Sequence, residues 1–425
     1  MRIKRKSIIK IQVEKLYKIF GKNPDLAIEL IQQGATKDEI QDKTGSVVGL
    51  DNVSFSVNAG EIFVVMGLSG SGKSTLVRCL NRLITPTSGH IEIDGEDVLA
   101  LSQDSLRALR RTKISMVFQR FALFPHKTVV ENAAFGLKVR GMPKKERQRL
   151  ARETLEMVGL GAWGNYYPRN LSGGMQQRVG LARALTTDPD ILLMDEPFGA
   201  LDPLIRREIQ EELIQLQRAV NKTIVFITHD LHEALKLGDR IAIMKDGRFV
   251  QVGTPEQIVS KPADDYVASF IQDVDLGRVV TAGFISHPVE PLPMEQYNAA
   301  AALRQLEAAN AAALHLINED GRPLGLITGQ DLRQHGDQPL DKLMRTEFPL
   351  AQAKWELAEL YQLFSEGLPV AVVDGDGRYQ GVVHYQDVLA ALSANSGGPA
   401  LNGQPNYQLN TPTETAASPA AAVVL

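Results

Sequence analysis

The chain has 425 residues, a length that predicts roughly two or three domains and leaves ample material for a hydrophobic core. It contains 46 Lys and Arg residues and 50 Asp and Glu residues, so the net charge of −4 gives no global case for binding nucleic acid. The single cysteine, Cys79, excludes a disulfide within the chain and a structural thiolate zinc site. No stretch approaches the roughly 18 uninterrupted apolar residues of a membrane span, and no signal peptide is expected.

The chain begins with a predicted strand and a pair of short predicted helices. Apolar residues alternate over residues 8–20, and Asn23-Pro24 then opens a helical pattern. Thr36 and Glu39 have the spacing of a capping box, which predicts a second helix. We call residues 23–44 the helical insert.

Strands then alternate with helices as far as residue 275. The predicted elements are strands 54–58 and 61–66, a basic helical stretch 143–159, strand 191–194, helix 203–220 and strand 223–227. Such alternation is typical of an α/β architecture. The fold class expected for residues 1–275 is therefore α/β with a mostly parallel sheet and a helical subdomain.

Beyond residue 276 the chain contains an internal repeat with an offset of 56 residues. Asp320-Gly321-Arg322, Gly325 and Gln330-Asp331 recur as Asp376-Gly377-Arg378, Gly381 and Gln386-Asp387. Each copy has the pattern helix, strand, tight turn, strand, helix. This pattern predicts two similar α+β modules, over residues 276–335 and 336–393.

Three further expectations concern the same region. The apolar run from Asn298 to Ile317 is interpreted as a helix. Residues 394–425 are rich in Ala, Ser, Thr, Pro, Asn and Gly, and we expect a disordered tail there. Residues 276–393 carry 8 basic and 15 acidic side chains, a net charge of −7, so the rest of the chain carries +3. The second region is therefore the acidic one.

Residues 67–75 contain a motif that binds phosphate. Gly67-Leu68-Ser69-Gly70-Ser71-Gly72-Lys73-Ser74-Thr75 follows an apolar run and precedes a helical pattern, which is the strand–loop–helix context of the G-x-x-x-x-G-K-[ST] loop. The glycines let backbone N–H groups face a polyphosphate, and the next helix presents its positive end. Lys73 would reach the β- and γ-phosphates, and Ser74 would ligate Mg²⁺. The nucleotide-binding residues predicted here are Gly67, Ser69, Gly70, Ser71, Gly72, Lys73, Ser74 and Thr75.

A pair of carboxylates, Asp195 and Glu196, follows the apolar residues 191–194. Asp195 can hold Mg²⁺, and Glu196 can orient and deprotonate a water molecule. The alternative is an acidic strand end that caps the next helix. Together with the phosphate loop, the pair predicts hydrolysis of the bound nucleotide.

A second glycine-bearing motif points to a family. Leu171-Ser172-Gly173-Gly174-Met175 precedes a helical pattern, and Ser172, Gly173 and Gly174 at a helix N-terminus predict a second anion site. With the phosphate loop, this motif resembles the LSGGQ signature of the nucleotide-binding subunits of ABC transporters, with Met175 as a departure at the fifth position. The resemblance extends over about residues 8–272. It implies a P-loop ABC ATPase domain that uses ATP and Mg²⁺.

The resemblance assigns further residues by their place in the family's motifs. Gln119 stands at the Q-loop glutamine, which contacts Mg²⁺ and senses the γ-phosphate. Asp202 stands in the D-loop, and His229 stands at the switch histidine. Phe20 takes the place of the aromatic residue that stacks on adenine; Tyr17 is a nearby rival, and a core Phe of the first hairpin is the alternative.

The resemblance also implies an assembly. Two ATPase subunits would form a head-to-tail homodimer, in which the phosphate loop of one chain faces Ser172 and Gly174 of the other. A membrane permease would dock near the apolar run 121–126, and a solute-binding protein would be served indirectly. The subunit would lie on the cytoplasmic face of the inner membrane as a peripheral protein.

Within ABC transporters the chain resembles the ATP-binding subunits of glycine betaine/proline importers, the quaternary-amine uptake class. The helical insert, the stretch 64–84 and the C-terminal repeat, which resembles a tandem of cystathionine-β-synthase-type (CBS) domains, carry this resemblance. It implies ATP hydrolysis that energises osmolyte uptake. In CBS pairs an Asp at the start of the last helix often contacts a ribose, so Asp331 and Asp387 indicate a nucleotide ligand; a helix N-cap is the alternative for both.

Two other functions are open at this point. Another class of ABC importer, for amino acids or polyamines, would share the ATPase domain. A soluble ABC ATPase without a transport role would share the ATP site, and it would not co-purify with a membrane permease.

Overall fold

The computed structural model describes residues 8–118, 122–199, 201–272, 274–294, 298–309, 311–335, 338–364 and 367–393. Gln119, the start of the apolar run at Phe121, and the tail 394–425 lie outside the described residues. The chain divides into two compact units, Met1–Asp275 and Leu276–Leu425, which we call unit 1 and unit 2. None of the helices described has the length and hydropathy that a membrane-spanning segment needs.

The strands of unit 1 form two sheets. They are β1 (Ile9–Phe20), β2 (Val47–Asn58), β3 (Ile62–Met66), β4 (Ser88–Ile93), β5 (Glu96–Asp97), β6 (Ile114–Val117), β7 (Ile191–Asp195), β8 (Thr223–Thr228), β9 (Arg240–Lys245) and β10 (Arg248–Gly253). One sheet has the order β2-β1-β4-β5 and is antiparallel. The other has the order β10-β9-β3-β8-β7-β6 and is parallel except for its edge strand β10.

The parallel sheet confirms the fold class predicted from the alternation of strands and helices. β3, β7 and β8 are buried at every residue, as expected for strands that are covered on both faces. The prediction of the strand 54–58 was too short, because β2 pairs with β1 from Val47 onward. The missing part, 47–53, contains Gly49 and Asp51-Asn52, which are poor strand formers.

The helices described in unit 1 are α1 (Pro24–Gln32), α2 (Lys37–Thr44), α3 (Lys73–Leu80), α4 (Gln103–Thr112), α5 (Val129–Ala133), α6 (Phe135–Val139), α7 (Lys144–Met157), α8 (Gly173–Leu185), α9 (Pro203–Val220), α10 (Leu231–Leu237), α11 (Pro255–Ser260) and α12 (Asp265–Ile271). The sequence predicted α1 and α2 of the insert, α3 after the phosphate loop, α7, α8 after Ser172, and α9, and it did not predict the others. The capping box of α2 is present: Glu39 N donates to Thr36 Oγ1, and Thr36 N donates to Glu39 Oε2.

One apolar cluster joins the two sheets of unit 1 and α3. It contains Phe63 and Val65 of β3, Ile11 of β1 and Leu76 of α3, and Cys79 is fully buried in it. A smaller cluster fixes the helical insert to the first hairpin through Ile19, Ala27, Ile31, Ile40 and Val48. The insert therefore packs beside the sheet that carries Phe20.

Unit 2 consists of two copies of one motif. Its elements are α13 (Ala282–Ile285), β11 (Leu292–Pro293), α14 (Ala299–Ala308), β12 (Ala313–Ile317), β13 (Pro323–Thr328), α15 (Gly329–His335), α16 (Leu340–Leu343), β14 (Leu350–Gln352), α17 (Leu357–Leu360), β15 (Val370–Val373), β16 (Tyr379–Val383) and α18 (Tyr385–Ser393). The sheets β11-β12-β13 and β14-β15-β16 have the same pairing, parallel and then antiparallel. The equivalent turn glycines Gly321 and Gly377 both have a φ of 78°.

The interpretation of residues 298–317 as a helix was wrong for its second half. α14 ends at Ala308, and residues 313–317 form β12, which pairs with β13. The residues Ala313 to Leu316 are all buried and, apart from His315, apolar, so this strand has nearly the same apolar run that a buried helix would have. Apolar content alone could not separate the two.

Candidate functional site

Three neighbouring strands of the parallel sheet end beside one another, and a predicted site residue follows each of them. β3 leads into the phosphate loop 67–72, β7 ends at Asp195, and β8 ends at Thr228, just before His229. Carboxyl ends of parallel strands meet at one edge of a sheet, where ligands of α/β proteins bind. The motifs are therefore brought together although about 160 residues separate the first from the last.

The phosphate loop needs glycine at Gly67 and Gly72 for steric reasons. A Cβ atom at Gly67 would lie 2.2 Å from the Met244 oxygen, and one at Gly72 would lie 2.5 Å from the Gly49 oxygen. Both residues have positive φ angles, 157° and 109°. The hydroxyl of Ser71 in this loop is buried and has no hydrogen-bond partner in the part of the chain that the structure describes.

Lys73, the first residue of α3, is folded back into the loop. Its Nζ donates hydrogen bonds to the carbonyl oxygens of Gly67 (2.8 Å) and Leu68 (3.0 Å), and it lies 3.8 Å from Glu196 Oε1. The side chain is only 4% exposed. Burial lowers the pKa of Lys73, whereas the carboxylates of Glu196 and Asp195 raise it. The ammonium group therefore lies inside the loop whose N–H groups are suited to a polyphosphate.

Ser74 and Asp195 form an oxygen-rich pair beside the loop. Ser74 Oγ donates to Asp195 Oδ1 at 2.8 Å. A hydroxyl and a carboxylate are the hard ligands that Mg²⁺ prefers, so these two residues fit a magnesium ion. Sequence reasoning missed Arg78, whose Nη2 lies 3.4 Å from Asp195 Oδ2. Ser74 and Arg78 are four residues apart and so lie on one face of α3, but nothing in the local sequence pairs that face with Asp195.

Glu196 lies between the phosphate loop and the end of β8. Its backbone has a φ of 46°, and its N–H donates to the Ile227 oxygen at 3.1 Å. The carboxylate is 3.8 Å from Lys73 Nζ on one side and 3.3 Å from His229 Nδ1 on the other. The Glu196 carboxylate therefore lies between the side chains of Lys73 and His229.

The predicted signature residues lie at the start of α8. Ser172 caps this 13-residue helix by accepting a hydrogen bond from Met175 N, and Ser172 and Gly173 are exposed. Gly174 is buried, and a Cβ there would lie 2.3 Å from Cγ2 of Ile205 on α9. Gly174 thus permits close packing of two helices. Asp202, at the start of α9, is exposed.

Phe20 is a surface residue. It is 41% exposed at the end of β1, and the Lys18 Nζ lies 4.9 Å from its ring centroid. The ring lies against Gly49, where a Cβ would come within 2.7 Å of Phe20 Cε2. The alternative of a core Phe is therefore wrong. Tyr17, the rival, packs partly buried against the cluster of the helical insert.

The two aspartates of unit 2 have partners within unit 2. Asp331 accepts a hydrogen bond from Thr328 Oγ1 (2.6 Å) and lies 3.5 Å from Arg345 Nε. Asp387 contacts His287 Nε2 (2.9 Å) and accepts from the His384 N–H (2.7 Å). Both occupy the third helical position and not the N-cap itself, although Asp387 caps the start of α18 by accepting from the His384 N–H. A nucleotide ligand at these residues stays a prediction.

Comparison with known proteins identifies the family. The ABC transporter family model matches residues 50–199, and the CBS domain model matches residues 340–394. The chain is 50% identical, over 91% of its length and 93% of the other, to the glycine betaine transport ATP-binding protein of Bacillus subtilis. The chain belongs to the ATP-binding subunits of ABC transporters. It is therefore an ATPase coupled to transport.

Two further relatives of this ATP-binding subunit differ in the solute they are named for. The glycine betaine/proline betaine ATP-binding protein of Escherichia coli is 46% identical over 90% of this chain and 98% of its own. The trimethylamine N-oxide ATP-binding protein of Pelagibacter ubique is 53% identical over 64% of this chain and 79% of its own. The solutes named in all three cases are small methylated amines.

Proposed function

We propose that this ATP-binding subunit energises an importer for glycine betaine or proline-type osmolytes. The observation that carries the proposal is the 50% identity to a glycine betaine transport protein, because it extends over 91% of the chain. The helical insert and the repeat of unit 2, which first indicated this class, are both formed in the fold.

We assign phosphate binding to the loop 67–75 and to Lys73, with Phe20 stacking on adenine. The orphaned hydroxyl of Ser71 supports the loop assignment, because a buried polar group needs a partner and a phosphate oxygen would be one. Ser74 and Asp195 would hold Mg²⁺, with Gln119 as a further ligand. Bound Mg²⁺ neutralises charge on the β- and γ-phosphates.

Glu196 carries the role of general base in this proposal. Its carboxylate would accept the proton of the attacking water, and it lies 3.8 Å from Lys73 Nζ, within the loop that would hold the phosphates. His229, 3.3 Å from Glu196, would contact the γ-phosphate together with Gln119. These residues position the water and stabilise the charge that develops during transfer.

We further propose that two chains form a head-to-tail homodimer. Ser172 and Gly173 stand exposed at the N-terminus of a long helix, which is a place suited to a phosphate of a second chain's nucleotide. Gly174, packed against Ile205, would act by holding this helix end, and Asp202 would line the same interface. ATP would then join the two chains, and its hydrolysis would separate them.

A membrane permease would respond to the joining and separation of the two chains. The subunit would therefore lie at the cytoplasmic face of the membrane. A solute-binding protein would contribute from the other side without touching this chain. The solute pocket is expected in those partners, because the assigned residues of unit 1 all serve the nucleotide.

Reconstitution of the chain with its permease in liposomes tests this function. We expect ATP-driven uptake of glycine betaine, with proline and trimethylamine N-oxide as competing solutes and Lys73→Ala as the inactive control. Methionine and spermidine serve as contrasts: ATP-driven uptake of either one, without betaine uptake, would assign a different importer class. An ATPase that never co-purifies with a permease would instead indicate a soluble function.

A further inference from the structure

A buried carboxylate follows His229 by four residues in the chain. Glu233 on α10 is 6% exposed, and each of its oxygens has a partner. Oε2 accepts a hydrogen bond from Thr228 Oγ1 at 2.6 Å, and Oε1 accepts one from Gln210 Nε2 at 3.1 Å. Burial raises the pKa of Glu233, and the Thr228 hydroxyl opposes that rise. Buried glutamates are rare in proteins unless they are paired, so this one needs an explanation.

Thr228, the residue before His229, has hydrogen bonds to two residues that follow His229 in the chain. The Thr228 hydroxyl donates to Glu233 and accepts from the backbone N–H of Asp230 at 3.0 Å. Thr228 is 2% exposed, whereas the side chain of His229 is 57% exposed. Packing therefore does little to hold the imidazole ring. Its place beside Glu196 depends on the backbone turn that Thr228 and Asp230 fix.

Helix α9 contributes two further polar side chains near Glu233. Arg206 and Gln210 lie one turn apart on α9, and both approach the Glu233 carboxylate. Arg206 Nη1 is 3.4 Å from Asp230 Oδ2, and its Nε is 3.8 Å from Glu233 Oε1. Its Nη2 also donates to the carbonyl of Leu201, next to Asp202. Glu233 thus lies where the turn of His229 meets the helix that begins after Asp202.

We propose that Glu233 is a positioning residue that fixes the turn Thr228–Asp230 and thereby holds His229 next to Glu196. It does not touch the nucleotide, and it acts only through Thr228. This inference rests on the role in hydrolysis assigned above to His229. If Glu233 served only to join α9 to α10, its removal would lower stability without a specific effect on turnover.

Steady-state ATP hydrolysis by the full-length chain tests the inference. In Glu233→Ala and in Thr228→Val we expect kcat to fall by about 10- to 100-fold while the KM for ATP changes by less than about threefold. Glu233→Gln keeps an oxygen that accepts from the Thr228 hydroxyl, so it should retain kcat within about threefold of the wild type. Thr228→Val also removes the acceptor of the Asp230 N–H, so it tests the turn as a whole. If Glu233→Ala does not fold, Glu233→Met decides the question, because it keeps the length of the side chain but accepts no hydrogen bond from Thr228.

Glu211→Ala is the matched control. Glu211 is an exposed residue of α9, 3.4 Å from Lys236 on α10, so it joins the same two helices at the surface. Its loss should leave kcat unchanged. A loss in Glu211→Ala as large as in Glu233→Ala would overturn the proposal, as would wild-type kcat in both Glu233→Ala and Thr228→Val.

The His229→Ala background separates this inference from the proposed function. If Glu233 acts through His229, adding Glu233→Ala to His229→Ala should lower kcat no further. If the double variant loses kcat by the full effects of both single substitutions, the inference is contradicted and the role assigned to His229 still stands. Normal turnover in His229→Ala by itself would instead refute the role assigned to His229.

Discussion

Glu196 is held by its backbone as well as by its side-chain neighbours. Its φ of 46° is uncommon for a residue with a Cβ atom, and its N–H is bonded to β8. We expect Glu196→Gln to keep this geometry but to remove the group that takes the proton, so turnover should fall by at least about 100-fold. ATP-bound dimers should then accumulate.

Phosphate release and size-exclusion chromatography in the presence of ATP measure this effect. Glu153→Gln on α7 is the control, because Glu153 is exposed and forms an ion pair with Arg149 one turn away on the same helix. Normal phosphate release from Glu196→Gln would show that another group is the base. If Glu196→Gln hydrolyses ATP slowly but stays monomeric with ATP, the assignment of Glu196 as the base stands and the dimer joined by ATP is refuted.

Residues whose role depends on local spacing could be predicted, and residues whose partners are remote could not. Lys73 and Ser74 follow from the glycine pattern around them. Arg78 contacts Asp195, 117 residues away, and Glu233 contacts Gln210 on another helix, so neither contact has a local signal. Their discovery required the tertiary structure.

At the scale of single elements, the helical insert depends on a few buried side chains. Ile40 of α2 is 1% exposed and packs with Ile19, Ile31 and Val48 in the small cluster. Ile40→Ala should destabilise the insert by about 2–5 kcal/mol, because the cavity it leaves can close only in part. Amide hydrogen exchange over residues 23–44 measures this loss locally.

The matched control in the same insert is Leu26→Ala. Leu26 is 45% exposed, so its truncation should change the opening free energy by less than about 0.5 kcal/mol. Equal protection of the insert in both variants would mean that the small cluster does not hold it. Faster exchange throughout unit 1 in Ile40→Ala would mean that the insert is not an independent element.

Elements with clear end signals were predicted closely, and elements without them were not. The helix 203–220 has Pro203 at its start and Asn221 in a left-handed conformation after its end, and its predicted bounds are those of α9. The boundary between α14 and β12 has a weaker signal, because Asn310 is the one residue there that favours a helix end and alanines precede and follow it. Pairing of β12 with β13 decides that segment, and pairing is a tertiary property.

At the scale of the whole molecule, net charge differs between the two units. The value of −4 for the chain combines −7 over residues 276–393 with +3 elsewhere. Unit 2 has its own buried cluster, which includes Leu292, Leu306 and Leu316, so its acidic character belongs to a separately packed body. Electrostatic effects of such a body are screened over about 10 Å at 0.1 M salt, which makes them sensitive to ionic strength.

We therefore expect removal of residues 276–425 to flatten the salt dependence of uptake while ATP hydrolysis continues, because the assigned nucleotide residues all lie in unit 1. Uptake of glycine betaine by the reconstituted complex, measured across a salt series, checks this. Removal of residues 394–425 alone is the control: that segment contains a single charged residue, Glu414, so the full salt response should persist. An unchanged activation curve after removal of 276–425 would reject unit 2 as the salt-responsive element.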